Sequence, residues 1–105
     1  MKQEINVHEF ERAFKEMDRD YYSWEGYQAL YDYYDEFPDF DLDVIAICCD
    51  VSELTEEELL NEYSYLLERE EDQDEEDYLN ALVEELEQHT TIIKLDNESF
   101  LIWDF

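Results

Sequence analysis

Asp39, Asp41, Asp43 and Asp50 stand at positions 1, 3, 5 and 12 of a calcium-loop spacing. Such a loop turns sharply on a glycine at position 6 and closes with a bidentate glutamate. Here Val44 holds the sixth position and Asp50 the last, so these acids read as a lead into an apolar segment. Asp72, Asp74 and Glu76 lack the glycine too. Cys48 and Cys49 are adjacent in a strand-like run, where neighbours face opposite ways, so one metal would rarely take both. His8 and His89 are in no ligand spacing. A Cys–His nucleophile would need the fold to bring distant residues together, and no spacing here points to one.

Phosphodiester chemistry on clustered carboxylates usually enlists a lysine. The lysines are Lys2, Lys15 and Lys94, and Pro38–Asp39 is not followed by an Asp/Glu-x-Lys element. Gly26 is the sole glycine, which leaves no loop to cradle a phosphate. The expectation is a protein without catalysis, metal or cofactor.

The acids themselves remain. The chain of 105 residues carries 33 Asp and Glu against 6 Lys and Arg, a net charge of −27. Solubility asks for a net charge of only about 2–8. Acids recur four apart at Glu58/Glu62, Glu68/Asp72, Glu70/Asp74, Glu71/Glu75 and Asp72/Glu76. On a helix each such pair repels by a few tenths of a kcal/mol. Lys2, Arg12, Lys15 and Arg19 keep the first 19 residues near neutral, and beyond them only Arg69 and Lys94 are basic. Selection for stability alone would have placed lysines there.

Chains this acidic often fail to fold. This one is 45% hydrophobic and 16% aromatic, enough to bury a core, and its length suits one domain. Asn6 with Glu9 forms a capping-box pattern opening a helix to Met17, with Val7, Phe10, Phe14 and Met17 as its stripe. Ser23 caps a second helix, to about Glu36, with Trp24, Tyr27, Leu30, Tyr31 and Tyr34 inward and Pro38 beyond its end. Leu42–Cys49 is short, apolar and rich in β-branched residues, and reads as a buried strand. Thr55 and Glu58 box another helix to about Glu68, with Leu59, Leu60, Tyr63, Leu66 and Leu67 inward. After the acidic stretch 68–77, Tyr78, Leu79, Leu82, Val83 and Leu86 stripe a further helix. Thr91–Leu95 and Ser99–Phe105 flank a turn at Asp96–Glu98, a hairpin signal. The order ααβααββ gives an α+β domain, with a small antiparallel or mixed three-stranded sheet packed by about four helices.

No apolar run reaches the roughly 20 residues that span a bilayer, and the first residues lack a signal-peptide pattern. Adjacent cysteines in an apolar run read as reduced core thiols. The expected compartment is the cytoplasm, that of the host if a phage encodes the chain. Duplex DNA carries one charge per roughly 1.7 Å, so −27 matches about 46 Å of duplex. A compact domain of this length is only about 33 Å across.

Size, charge and aromatic content across the whole chain resemble those of the DNA-mimic proteins of phages and mobile elements. The segments WEGYQALYDYYDEF and LDVIAICCD also look like small acidic phage and plasmid proteins. DNA mimics share no motif and no common fold. The resemblance implies a protein inhibitor, of the antirestriction or anti-CRISPR type, that fills the basic groove of a nucleic-acid-binding protein without binding nucleic acid or membrane itself. Carboxylates four apart on a helix stand about 6 Å apart, near the spacing of phosphates along a strand. The expected contact face is Asp32, Asp35, Glu36, Asp39, Asp41 and Asp43 together with Glu68, Glu70, Glu71, Asp72, Asp74, Glu75, Glu76 and Asp77. Tyr33 and Tyr65, with Tyr22, exceed what the core stripes need, and Tyr33 and Tyr65 join that face as stacking partners for arginine. The alternative is an acidic interaction module, antitoxin-like or a chaperone of a basic partner. Homodimerisation stays open.

Overall fold

A computed structural model describes Met1 and residues 4–105; Lys2 lies outside the described residues. Three helices lead the chain: α1 (Val7–Glu16), α2 (Trp24–Asp35) and α3 (Val44–Asp50). Strand β1 (Val51–Leu54), helix α4 (Glu56–Tyr63) and a 3₁₀ turn (Ser64–Leu66) follow. Helix α5 (Glu75–Glu87) and the hairpin strands β2 (Ile92–Lys94) and β3 (Phe100–Trp103) complete the order. The fold is α+β, with an antiparallel sheet in the order β1-β3-β2.

Local chemistry sets most boundaries. Both capping boxes form: Asn6 accepts from the Glu9 N–H and Thr55 from that of Glu58, and each glutamate answers. Helix α1 stops because Asp18 turns left-handed at φ 56°. That turn lets Arg19 N–H reach Phe14 O at 2.8 Å and Asp18 N–H reach Lys15 O at 3.1 Å, the paired bonds of a Schellman end.

Most of the apolar run at 42–49 is helical, within α3 (Val44–Asp50), and none of it is strand. Asp43 accepts from Ala46 N–H at 3.1 Å and caps α3. Val44 and Ile47, three apart, are buried while Ile45 and Cys49 face out, which is helical rather than alternating burial. The strand comes next, at β1, where Val51 and Leu54 turn inward. The helix after Thr55 also ends early, at Tyr63, and the 3₁₀ turn carries Leu66 and Leu67 back toward the core.

Central strand β3 alternates its side chains between two separate cores. Leu101 and Trp103 face Phe10, Phe14, Tyr22, Tyr27, Leu30 and Ile47 of the α1–α3 side. Phe100 and Ile102 face Leu59, Leu79, Leu82 and Leu86 of α4 and α5. Helices stacked on both faces of a sheet only three strands wide make the molecule long, 50 × 23 × 20 Å, rather than a ball about 33 Å across. Two stripe residues leave the core: Met17 is 47% and Trp24 38% exposed, the latter stacked on His8 with ring centres 5.1 Å apart.

Candidate partner-binding surface

No acidic side chain is buried. Glu11, Glu25, Glu53, Glu56 and Glu85 are half-buried and every other Asp and Glu is exposed. A net −27 is thus spread along a body 50 Å long. Duplex DNA of that length, at one charge per roughly 1.7 Å, carries about 29.

Part of this charge suits the helices that bear it. Glu56, Glu57 and Glu58 open α4, and Glu75, Glu76 and Asp77 open α5, where the helix dipole favours anions. Another part works against the dipole. Asp32 and Asp35 end α2, Asp50 ends α3, Glu62 stands near the end of α4 and Glu84, Glu85 and Glu87 end α5. None of these four helices has a basic residue in its last turn. Each misplaced acid costs about 0.3–1 kcal/mol at low salt. Among the described residues the ion pairs are Met1 amino–Asp35 at 4.0 Å, Lys15–Glu11 at 3.5 Å and His89–Glu85 at 3.2 Å. These pairs offset little of a net charge of −27.

The expected contact residues divide between several places. Asp32 and Asp35 lie on the last turn of α2, Glu36 caps it, and Asp39 and Asp41 follow in the segment leading to Asp43. Glu68, Glu70, Glu71 and Asp72 lie in the irregular segment before α5, Asp74 is its N-cap, and only Glu75, Glu76 and Asp77 are helical. The acids four apart within 68–76 therefore form no row along a helix, whereas Glu58 and Glu62 do share α4. Gln73 organises that segment: its side chain accepts from Glu70 N–H at 3.3 Å and its carbonyl accepts from Arg69 Nε at 3.1 Å. The Arg69 guanidinium sits 5.9 Å from the Tyr78 ring.

The tyrosines divide too. Tyr65 is 73% exposed. Tyr33 is half-buried against Trp103, Tyr34 and Phe37, with ring centres 4.6, 5.0 and 5.3 Å away. Tyr22 is buried and not surplus: its hydroxyl donates to Val51 O at 2.7 Å.

Three shallow concavities lie in series along β2, of about 430, 200 and 310 Å³. Lys94 lines the first and second, and Asp32 the second and third. Together they bring Asp32 and Tyr33 of α2 and its C-cap Glu36 to one side of β2 and Glu75 and Glu76 of α5 to the other. Glu25, Glu56, Asp96 and Glu98 join this groove; the sequence expectation did not include them, because only the strand order places them there. Asp35, Asp39, Asp41, Asp43, Glu68, Glu70, Glu71, Asp72, Asp74, Asp77 and Tyr65 lie outside its lining.

Cys49 is exposed, which departs from a core thiol, and burial pushes the half-buried Cys48 thiol up from its ordinary pKa. Among the described residues no three His, Cys, Asp or Glu side chains converge as metal ligands, and no helix is long and apolar enough to cross a membrane. Comparison with protein-family models, with curated proteins and with solved structures finds no match to this chain.

Proposed function

We propose that this chain is a DNA mimic, an inhibitor that occupies the basic groove of a nucleic-acid-binding protein, foremost a defence nuclease, in the cytoplasm of the host cell. One observation carries the reading: a net charge of −27 on a body 50 Å long, close to the linear charge of a duplex. Acids placed against helix dipoles, without a basic residue in those last turns, support it, because that arrangement costs the fold. Encounter with a basic groove would be fast and steeply weakened by salt.

A pull-down of the tagged protein from bacterial lysate at about 100 mM salt, where charges still act over ~10 Å, tests this. Capture of a DNA-binding enzyme that added duplex DNA displaces supports mimicry. Capture only of partners indifferent to DNA, or of none, overturns it.

A second reading, an acidic interaction module, draws on an exposed aromatic cluster. Tyr63 lies 6.3 Å from Tyr65 and 5.9 Å from Phe105, and Phe105 stacks 5.8 Å from His89, ring centre to ring centre. Under that reading Tyr65 and Phe105, not the acids, carry the binding energy.

A further inference from the structure

The sheet has two edges, and they are treated differently. On β1, Val51 and Glu53 direct their backbones outward, because Asp104 N–H bonds to Asp50 O at 2.6 Å and antiparallel bonding then alternates. The outward Val51 carbonyl is taken by the Tyr22 hydroxyl. On β2, Trp103 N–H bonds to Thr91 O at 3.0 Å and Leu95 N–H to Ser99 O at 2.8 Å. By the same alternation Ile93 bonds to β3, while Ile92 and Lys94 turn their N–H and C=O groups outward. No strand lies beyond β2, and no partner occupies those groups among the described residues.

We infer that the β2 edge is a docking site for an extended, Lys/Arg-bearing segment of a partner protein, which adds to the sheet as a fourth strand. An open edge of this kind is a template for strand addition. Charge selects the occupant. Side chains of an added strand point alternately to the two faces, here toward Asp32 and Glu36 on one side and Glu75 and Glu76 on the other. Arginines or lysines on both faces of the incoming strand therefore meet carboxylates. A second copy of this chain would bring another −27 to the same place, and edge-to-edge dimerisation is opposed. Among the described residues Lys94 is the one cation lining the groove, and it acts as a guard that keeps the edge from pairing indiscriminately.

This site goes beyond mimicry, since it asks for an extended segment and not for a nucleic-acid groove. The test uses a synthetic peptide of about eight residues repeating Arg-Arg-Val-Val, which puts arginines on both faces of a strand at a common strand length, and the isotopically labelled full chain. Binding is expected to shift the Ile92 and Lys94 amide resonances and slow their hydrogen exchange. Lys94→Pro removes an outward N–H and leaves the β2–β3 bonds of Ile93 and Leu95 in place; it should weaken binding at least about tenfold. Lys94→Thr keeps the N–H and removes the positive charge, and should bind as tightly as the parent or more so. Shifts scattered over the acidic surface without Ile92 and Lys94, equal loss in both variants, or no binding would overturn the proposal. So would a peptide-free dimer that Lys94→Pro abolishes, because the occupant would then be a second copy. If Lys94→Pro does not fold, the amide shifts of the parent protein decide alone. None of these readouts depends on displacement by DNA, so mimicry and edge docking stand or fall separately.

Discussion

The Glu53 carboxylate on β1 accepts two hydrogen bonds from Ser23, the N-cap of α2, at 2.9 Å from the backbone N–H and 3.0 Å from the hydroxyl. The same hydroxyl accepts from Gly26 N–H at 3.1 Å and from Asn97 Nδ2 at 3.1 Å. A carboxylate from the sheet and an amide from the hairpin turn thus fix the start of a helix. The arrangement fits only because residue 26 has no side chain: a Cβ there would fall on Glu53 Oε1 and lie 3.2 Å from the Tyr22 Cβ.

Gly26→Ala is therefore expected to destabilise the fold, against the usual gain of about 0.5–1 kcal/mol for alanine over glycine within a helix. Crowding costs of about 1–3 kcal/mol leave a net loss near 1 kcal/mol by urea unfolding. In a Glu53→Ala background the added methyl no longer expels a bonded carboxylate, and the loss should shrink to near zero. An equal loss in both backgrounds would place the strain elsewhere.

The glycine shows how far the sequence could be read. Its place in the first turn of α2 was visible, but the need for glycine there comes from a strand 27 positions on. The capping boxes at Asn6 and Thr55 were legible because every atom involved is local. The run 42–49 was misread because β-branched residues in a short apolar run do not separate strand from buried helix. Asp43 as N-cap was the signal that decides it. The acids were legible from composition, whereas the groove along β2 was not, since it depends on which hairpin strand ends at the sheet edge.

Alkaline pH should unfold the protein through its buried phenols. Burial, with Cys48 nearby, raises the pKa of Tyr22 well above the ordinary value, and burial with the Asp20 carboxylate raises that of Tyr27. Tyr27 donates to Asp20 Oδ1 at 2.6 Å. The folded state holds these protons more tightly than the unfolded chain does. Their contribution is therefore complete below the ordinary tyrosine value of about 10 and is lost as pH rises beyond it. Loss of helical circular dichroism and the rise of tyrosinate absorbance from these two residues should coincide. Tyr22→Phe should flatten the alkaline decline. It should also cost about 1–3 kcal/mol at neutral pH, because the Val51 carbonyl loses its partner.

If the acids serve a partner rather than the fold, replacing one at a helix end should stabilise the protein. Glu62→Lys turns the Glu58/Glu62 repulsion into an attraction in the favoured order and places a cation near the end of α4. The melting temperature is expected to rise by roughly 2–5 °C at low ionic strength, and the gain should shrink as salt screens the charges. A fall in melting temperature would mean that Glu62 has a structural role.

Salt and charge reversal together separate the two readings of function. Screening relieves self-repulsion, so the free protein should melt higher as salt increases, while a complex held by long-range attraction should weaken over the same range. Asp32→Lys with Glu36→Lys alters only exposed side chains, on the rim of the β2 groove. Under mimicry this pair should lower affinity for the captured partner more than about tenfold and make the remaining binding less dependent on salt. Tyr65→Ala, in the exposed aromatic cluster, should then cost little. The opposite ranking, with Tyr65→Ala abolishing capture and the double reversal tolerated, would assign binding to the aromatic cluster and leave the acids as a solvated shell. Titration calorimetry of the parent and both variants at two salt concentrations gives both the ranking and the salt dependence.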